Sequence, residues 1–374
     1  MSLRNFTSAK RREFLETELR IKLSDLSDEN LENDDRVHCE NLIGAVRVPV
    51  GVAGPISVNK KERYIPLSTT EGALVASVNR GCKAILLSGG VKSVVVMHGQ
   101  TRGPVFETGG VAEGIAFKKW VEGNSKSISD ASSSVSSHIS YLGAKVKVIG
   151  NMSFVRFSFD TKDAMGMNMV TLATEAIVAL IEKKTEAKCL AVAGNFDIDK
   201  KPAYLNTIDG RGFEVLAECE IPEKVLRDVL HVTAQRVYDV WFAKCMIGSY
   251  ASGSLGYNSH FANIIAAIFI ATGQDPSHVV EGSMGITTCM VKGKSLYVSV
   301  NIPALLVGVV GGGTVLPTQR HALEIMGIKK TSKSVELAEI IGGAVVAGEI
   351  SLLSAIATGT LGKAHKSLGR RKEK

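Results

Sequence analysis

The stretch AKVKVIGNMSFVRFSF, residues 144–159, reads as two β-strands joined at Gly150-Asn151, a pair suited to a tight hairpin turn. On each side of that pair, β-branched or aromatic residues recur at every second position, the period of a pleated strand. Upstream lie a strand in PVFETG (104–109) and helices within VAEGIAFKKWVEGNSKSISDASSSVSSHI (111–139). Downstream, Val170, Ala173, Ile177, Leu180 and Ile181 keep helical spacing in a helix from Met165 to about Lys184, and CLAVA (189–193) is a further strand. The order from Pro104 to about Val192 is β-α-β-β-α-β, that of a ferredoxin-like domain.

This unit has the look of an insertion, because apolar helical material like that before it resumes after Asn206. The expected class is therefore α+β. Residues 1–39 form a small helical region, 40–103 and 206–374 one large domain, 104–192 the small domain, and 193–205 the loop that leaves it. The clearest helix of the first part follows STTEG, with Leu74, Val78, Cys82 and Ile85 on one stripe.

A hydrophobic fraction of 45% over 374 residues supplies a substantial core. NIIAAIFIATG and GGAVVAGEISLLSAIATG are too short or too interrupted for a membrane span, which needs about 20 consecutive apolar residues. The N-terminus is charged from Arg4 and has no apolar signal core, so the expected location is the cytoplasm. Six cysteines are scattered without a CxxC pair, so they read as small hydrophobes and no metal site is indicated. The net charge of +7 suits phosphorylated small molecules; no aromatic-studded basic strand marks a nucleic-acid reader.

Several short motifs carry chemistry, each beside a plainer role. Glu71 lies three residues after Ser68, the spacing of a capping box, and on spacing alone the cap is the better reading. Asp275 sits between Gly273 and Pro276 as a turn residue would. His365 is a lone histidine near the end of a helical stretch. In DAMGMNMV (163–170) the backbone before a helix presents outward N–H groups, the kind of end that binds phosphate; a plain Asp163 cap is the alternative. GVVGGGT (308–314) permits close backbone approach but is not the GxGxxG of a Rossmann unit. NFDIDKKPAYLN (195–206) is harder to explain as surface: Lys200 and Lys201 follow an apolar strand and are flanked by Asp199 and Pro202. A lysine so held suits negative charge developing on a carbonyl oxygen.

In order along the chain, ENLIGAVRVPVGVAGP, TTEGALVASVNRGCKAI, QTRGP, DAMGMNMV, DKKPAYLN, GSLGYNSHFANIIAAIFIATGQD, GVVGGGT and GEISLLSAIATGTLGKAH span about Glu40 to Arg370. This set resembles the 3-hydroxy-3-methylglutaryl-CoA (HMG-CoA) reductase family, in the class shared by archaea and eukaryotes and reduced to its soluble catalytic part. The resemblance implies four-electron reduction of HMG-CoA to mevalonate and free CoA with two NADPH, in the mevalonate route to isoprenoids. It implies a large α/β domain around a long central helix, a ferredoxin-like insertion that carries the dinucleotide, and active sites between subunits of a dimer or tetramer.

Carried over by motif, Lys200 stabilises the oxyanion, Glu71 supplies a proton in the second reduction, Asp275 bridges the two, and His365 protonates the departing CoA thiolate. Arg102, Asp199, Lys201, Lys244 and Asn263 would hold the hydroxymethylglutaryl part. Ser77, Asn79, Arg80 and Lys83 would meet CoA. Asp163, Met165, Gly166, Met167, Asn168, Gly312, Gly313, Thr314 and Arg370 would meet the cofactor. Ser137 stands where the family pattern has an arginine for the 2′-phosphate, so NADH stays open beside NADPH. Arg371 stands where vertebrate members carry a regulatory serine. A thioester hydrolase or acyltransferase, the competing class, would need a nucleophile elbow, and no serine in that setting is visible.

Overall fold

In the computed structural model, which describes residues 3–329, 331–360 and 362, the chain mixes helices and strands as an α+β protein. Helices α1 (Ser8–Leu19) and α2 (Glu29–Glu32) come first, capped by the side chains of Thr7 and Asp28, and neither buries a residue. The hairpin of β1 (Val50–Val58) and β2 (Lys61–Ser68) leads to α3 (Leu74–Leu87), whose Leu74, Val78, Cys82 and Ile85 are all buried, as their spacing requires. Next come β3 (Lys92–Arg102), β4 (Val105–Glu107), α4 (Val111–Gly123), α5 (Ser125–Ser133), β5 (Ser140–Ile149), β6 (Met152–Asp160), α6 (Met167–Lys184) and β7 (Lys188–Ala191). The chain continues through α7 (Leu205–Asp209), β8 (Gly212–Ile221), α8 (Glu223–Asp228), α9 (Ala234–Trp241), α10 (Ser249–Ser252), α11 (Phe261–Thr272) and α12 (Val279–Gly282). It closes with β9 (Ile286–Lys292), β10 (Ser295–Leu305), α13 (Pro317–Ile325) and α14 (Ser334–Ala357).

Apart from the first hairpin, the strands form one antiparallel sheet in the order β7-β4-β6-β3-β8-β10-β9, with β5 on β6. β5 and β6 meet at Gly150-Asn151, with Gly150 in the left-handed region. β3 determines the layout, because Lys92 to Gly99 pair with β8 whereas Gln100 to Arg102 pair with β6. The change of partner follows a register shift between Met97 and Gly99. Gly99 has φ +80°, and a Cβ there would lie 2.6 Å from the Phe159 carbonyl oxygen, so only glycine lets β6 approach.

Two separate apolar clusters use this sheet. The smaller joins Phe106, Phe157 and Phe159 to Val170, Ile177 and Ile181 of α6. The larger gathers α3, α11 and α14 against β8 and β10. At its centre lies α14, which by length and composition (mean hydropathy 1.9) could cross a membrane, unlike the sequence expectation that this stretch is too interrupted. Within this protein 83% of that apolar window is buried, as in a core helix. Its small residues allow close packing: a Cβ on Gly81 of α3 would lie 1.8 Å from the Ala347 carbonyl oxygen.

Candidate active site

The loop that carries the paired lysines is strained. Asn195, Ile198 and Lys200 all have positive φ (65°, 56° and 55°), a region that L side chains avoid and that a β-branched residue such as Ile198 adopts only under constraint. Buried anchors supply the constraint. Asp197, 1% exposed, accepts from Arg102 Nη1 at 3.2 Å, and its carbonyl accepts from the Thr101 hydroxyl at 2.8 Å. The Lys200 backbone N–H donates to Glu281 Oε1 at 2.7 Å.

The strain leaves the Lys200 ammonium partly exposed and 2.8 Å from Asp275 Oδ2. Asp275 has both roles open to it in the sequence: it caps the turn at 276–278 through Ser277 N–H and pairs with the lysine. Burial works against its ionisation, but Lys200 and Ser277 more than offset this and hold its carboxyl at about 2. Asp275 is thus a carboxylate at neutral pH, and the Lys200 side chain beside it is placed where it could donate to an oxyanion.

Beneath the pair lies an ionic network that sequence reasoning missed. Arg211, fully buried, donates to Glu281 Oε1 at 2.7 Å, to Asp199 Oδ1 at 2.9 Å and to the Thr101 hydroxyl at 2.8 Å. Glu281 and His278 are fully buried as well, with His278 Nδ1 3.3 Å from Glu281 Oε1. Asp199 is drawn in from the other side by Arg102 at 3.7 Å, and Arg102 also donates to the Thr171 hydroxyl. Asp199, His278 and Glu281 have the spacing of a metal trio, but the Arg211 guanidinium pairs with both carboxylates and already brings the charge a cation would bring. The i, i+3 spacing of His278 and Glu281 was the local signal; Arg211, 70 positions away from Glu281, gave none.

A cleft of about 1050 Å³ opens next to this network, lined by Lys244, Ser249, His260, Asn263, Val280 and Pro202 among others. Lys244 sits in a π-helical stretch, Phe242–Gly248, inserted between α9 and α10; such inserts often mark functional sites. Asn263 donates its side-chain amide to Glu71. Glu71 therefore does not form the expected capping box. Ser68 ends β2, α3 begins only at Leu74 after a left-handed Ala73, and no side chain caps it. The Glu71 N–H donates to the Thr69 hydroxyl, and the Glu71 carboxylate is tied to the cleft through Asn263, without a direct bond to Lys200 or Asp275. The wall bearing His260 is fixed from behind by Glu349, fully buried in α14, which accepts from the backbone N–H groups of Ser259 and His260 and from the Thr287 hydroxyl.

Of the α3 residues, Ser77 and Arg80 are turned to α14, where both bond Ser351. Asn79 accepts from Gly54 N–H, and Lys83 is exposed. Lys201 is exposed and reaches only the Asp199 carbonyl, at 3.3 Å.

The two glycine-bearing segments meet. Ala164 and Val310 form a parallel bridge, and Val309 N–H donates to the Asp163 carbonyl at 2.8 Å. A Cβ on Gly308 would lie 2.5 Å from the Met165 nitrogen, and one on Gly273 would lie 2.2 Å from the Gly313 carbonyl oxygen. The GGGT loop, with Gly312 at φ +54° and Thr314 buried, thus packs two residues from Asp275. α6 starts at Met167 after left-handed Gly166, so Asp163 does not cap it. The Asp163 carboxylate instead receives Ser334 N–H at the start of α14 and Lys333; burial opposes its ionisation, but these donors outweigh it and hold the carboxyl below its usual range. Met165 accepts from Gln100, Met167 is buried against Arg211, and Asn168 is exposed. His365 and Arg370 lie outside the described residues.

The sequence profile described as hydroxymethylglutaryl-coenzyme A reductase matches residues 7–370. The 3-hydroxy-3-methylglutaryl-coenzyme A reductase of Aeropyrum pernix is 51% identical over 342 residues, covering 88% of this chain and 81% of that protein. That of Methanothermobacter thermautotrophicus is 44% identical over 371 residues, covering 96% and 92%. Among solved structures, the class II 3-hydroxy-3-methylglutaryl-CoA reductase from Streptococcus pneumoniae, bound to NADPH in open conformations, shares the fold with a TM-score of 0.73 at 19% identity, over 95% of this chain and 98% of that one. With a profile that covers nearly the whole sequence and relatives this similar along most of their length, the chain belongs to the hydroxymethylglutaryl-coenzyme A reductase family.

Proposed function

We infer that this protein reduces HMG-CoA to mevalonate and free CoA with two NADPH, and that Lys200, Asp275, Glu71 and His365 carry the chemistry. The observation that supports this best is the 2.8 Å Lys200–Asp275 pair standing beside a cradle of backbone that no side chain could enter. Close approach at Gly308, Gly273 and Gly166, ahead of the unpaired N–H groups of α6, suits the phosphates of a dinucleotide. NADPH, when bound, would supply a hydride to the same carbon twice, first as the thioester carbonyl and then as the aldehyde that forms from it.

The remaining work belongs to the chain. Lys200 donates to the thioester oxygen and stabilises the alkoxide formed at that carbon, with Asp275 holding the lysine side chain in place. Collapse of the tetrahedral intermediate breaks the C–S bond, and His365 protonates the thiolate so that it cannot re-attack. Glu71 then delivers the proton that turns the second alkoxide into the alcohol. Glu71, Lys200 and Asp275 act as a coupled set rather than as independent groups.

Arg102, Asp199, Lys201, Lys244 and Asn263 hold the hydroxymethylglutaryl part, with basic groups answering its carboxylate. Arg102 and Asp199 also anchor the strained loop, so their part in binding is joined to shaping it. Lys83 and Asn79 face CoA, whereas Ser77 and Arg80 serve it through the α3–α14 seam. Asp163 through Asn168, Gly312, Gly313, Thr314 and Arg370 hold the cofactor, Asp163 by its backbone because its carboxylate is engaged. Residues 104–192 form the ferredoxin-like, NADP-binding insertion in the large domain of 40–103 and 206–374. The class is that of archaeal and eukaryotic enzymes, and the protein works in the cytoplasm as a homo-oligomer with sites between subunits.

The test is an assay of purified protein with HMG-CoA and either nicotinamide cofactor. The expected result is two NADPH oxidised per mevalonate formed, with NADH slower. No loss of nicotinamide absorbance with either one would refute the reductase reading.

A further inference from the structure

We propose that Glu281 and His278 form a positioning pair that grips Lys200 from its backbone side and couples that grip to Asp275. The inference rests on the reductase reading of the site, in which Lys200 is the group that meets the oxyanion.

Lys200 is held at two points. Its ammonium meets Asp275 Oδ2 at 2.8 Å, and its backbone N–H meets Glu281 Oε1 at 2.7 Å. The backbone grip matters because Lys200 has φ +55°, a conformation that costs roughly 1–3 kcal/mol in a non-glycine residue and persists only when its surroundings impose it. Without the carboxylate the N–H would be orphaned and the residue free to relax into an ordinary region, which would swing the ammonium away. Glu281 is itself immobile, fully buried with Arg211 on the same oxygen.

His278 connects the two grips. It is fully buried, with Nδ1 3.3 Å from Glu281 Oε1 and Nε2 3.8 Å from Asp275 Oδ2. One imidazole thus lies between the carboxylate at the lysine's backbone and the one at its ammonium. Neither His278 Nε2 nor Glu281 Oε2 has a hydrogen-bond partner, so both atoms are kept in the interior without one. A pair placed there only for packing would be served as well by apolar residues of similar volume.

Glu281→Ala in the full-length protein is expected to lower kcat with HMG-CoA about 100-fold, the scale of a misplacement near 1 Å, with the KM values for HMG-CoA and NADPH within about 3-fold of wild type. Glu281→Gln keeps an acceptor for the Lys200 N–H and should recover at least about a tenth of the wild-type kcat. A folded Glu281→Ala protein with wild-type kcat, or a Glu281→Gln protein as slow as Glu281→Ala, would overturn the proposal. Should Glu281→Ala not fold, His278→Gln decides: a kcat about 10-fold lower at unchanged KM supports the coupling, and an unchanged kcat removes it. Wild type assayed alongside separates the two levels, because no rate in wild type removes the reductase reading and this inference with it, whereas equal rates in wild type and variants remove only the inference.

Discussion

Gly308→Ala tests the cofactor cradle directly. Gly308 has no need of positive φ, so alanine meets no backbone penalty there and only space decides. Its Cβ would lie 2.5 Å from the Met165 nitrogen and 3.0 Å from the Ala164 carbonyl carbon. Gly308 cannot retreat, because Gln274 holds it on both sides: its N–H donates to Gln274 Oε1 at 2.9 Å and its carbonyl accepts from Gln274 Nε2 at 3.0 Å. The segment at Ala164-Met165 must therefore move by somewhat under ~1 Å to reach ordinary contact. Overpacking of this sort costs about 1–3 kcal/mol. If NADPH needs the two segments at their present separation, that cost falls on binding and converts to roughly 5- to 150-fold in affinity, with about 30-fold as the central expectation. Titration of NADPH fluorescence gives the dissociation constant, and steady-state rates at saturating HMG-CoA give KM for NADPH, which should rise more than kcat falls. A folded Gly308→Ala protein that binds NADPH as tightly as wild type would refute the placement of the dinucleotide between these loops.

Lys200→Met should lower kcat by about 100- to 1000-fold, the scale of a lost oxyanion donor, whereas Lys201→Met should chiefly raise KM for HMG-CoA; similar kcat losses in both would contradict the division between the lysines. Gly81→Ala forces a Cβ to 1.8 Å from a backbone oxygen of α14, so it should cost at least about 3 kcal/mol and lower Tm by several degrees in a thermal melt; an unchanged Tm would show that α3 and α14 can part freely. Asp275 is held at about 2 against an ordinary 3.8, so its stabilising contribution is present above about pH 4 and lost as pH falls through about 2. Urea midpoints of wild type and Asp275→Asn should therefore converge on going from pH 5 to pH 2.5, and a constant gap would contradict the pairing.

Local patterns carried well from sequence to structure where one face of one element decides. The stripe on α3 is buried residue for residue, and Gly150-Asn151 does turn the β5–β6 hairpin. Patterns with two local solutions misled. Ser68 and Glu71 have capping-box spacing, but β2 claims Ser68 and Asn263, 192 positions on, claims Glu71. Asp163 looks like a cap for the helix it precedes and instead serves the start of α14. The apolar stretch of α14 looks interrupted by glycines in sequence, but in the helix these are close-contact points, Gly342 against Val215, Gly343 against Val58 and Gly348 against Ile264. Lys200 and Asp275 were recognisable from their motifs, yet the network that aims them was not: Arg211, Glu281 and His278 are ordinary residue types until folding brings separate segments together.

The strand β3 has a mechanical consequence. Its last three residues pair with β6 and the residues before them with β8, the partner changing at Gly99. Arg102 lies three residues past that glycine and grips Asp197 and Asp199 at the foot of the Lys200 loop. One continuous strand thereby ties the β6 ladder to the loop that sets the Lys200 backbone. A change in how β6 and β8 meet at Gly99 is therefore expected to reach the Lys200–Asp275 pair through Arg102.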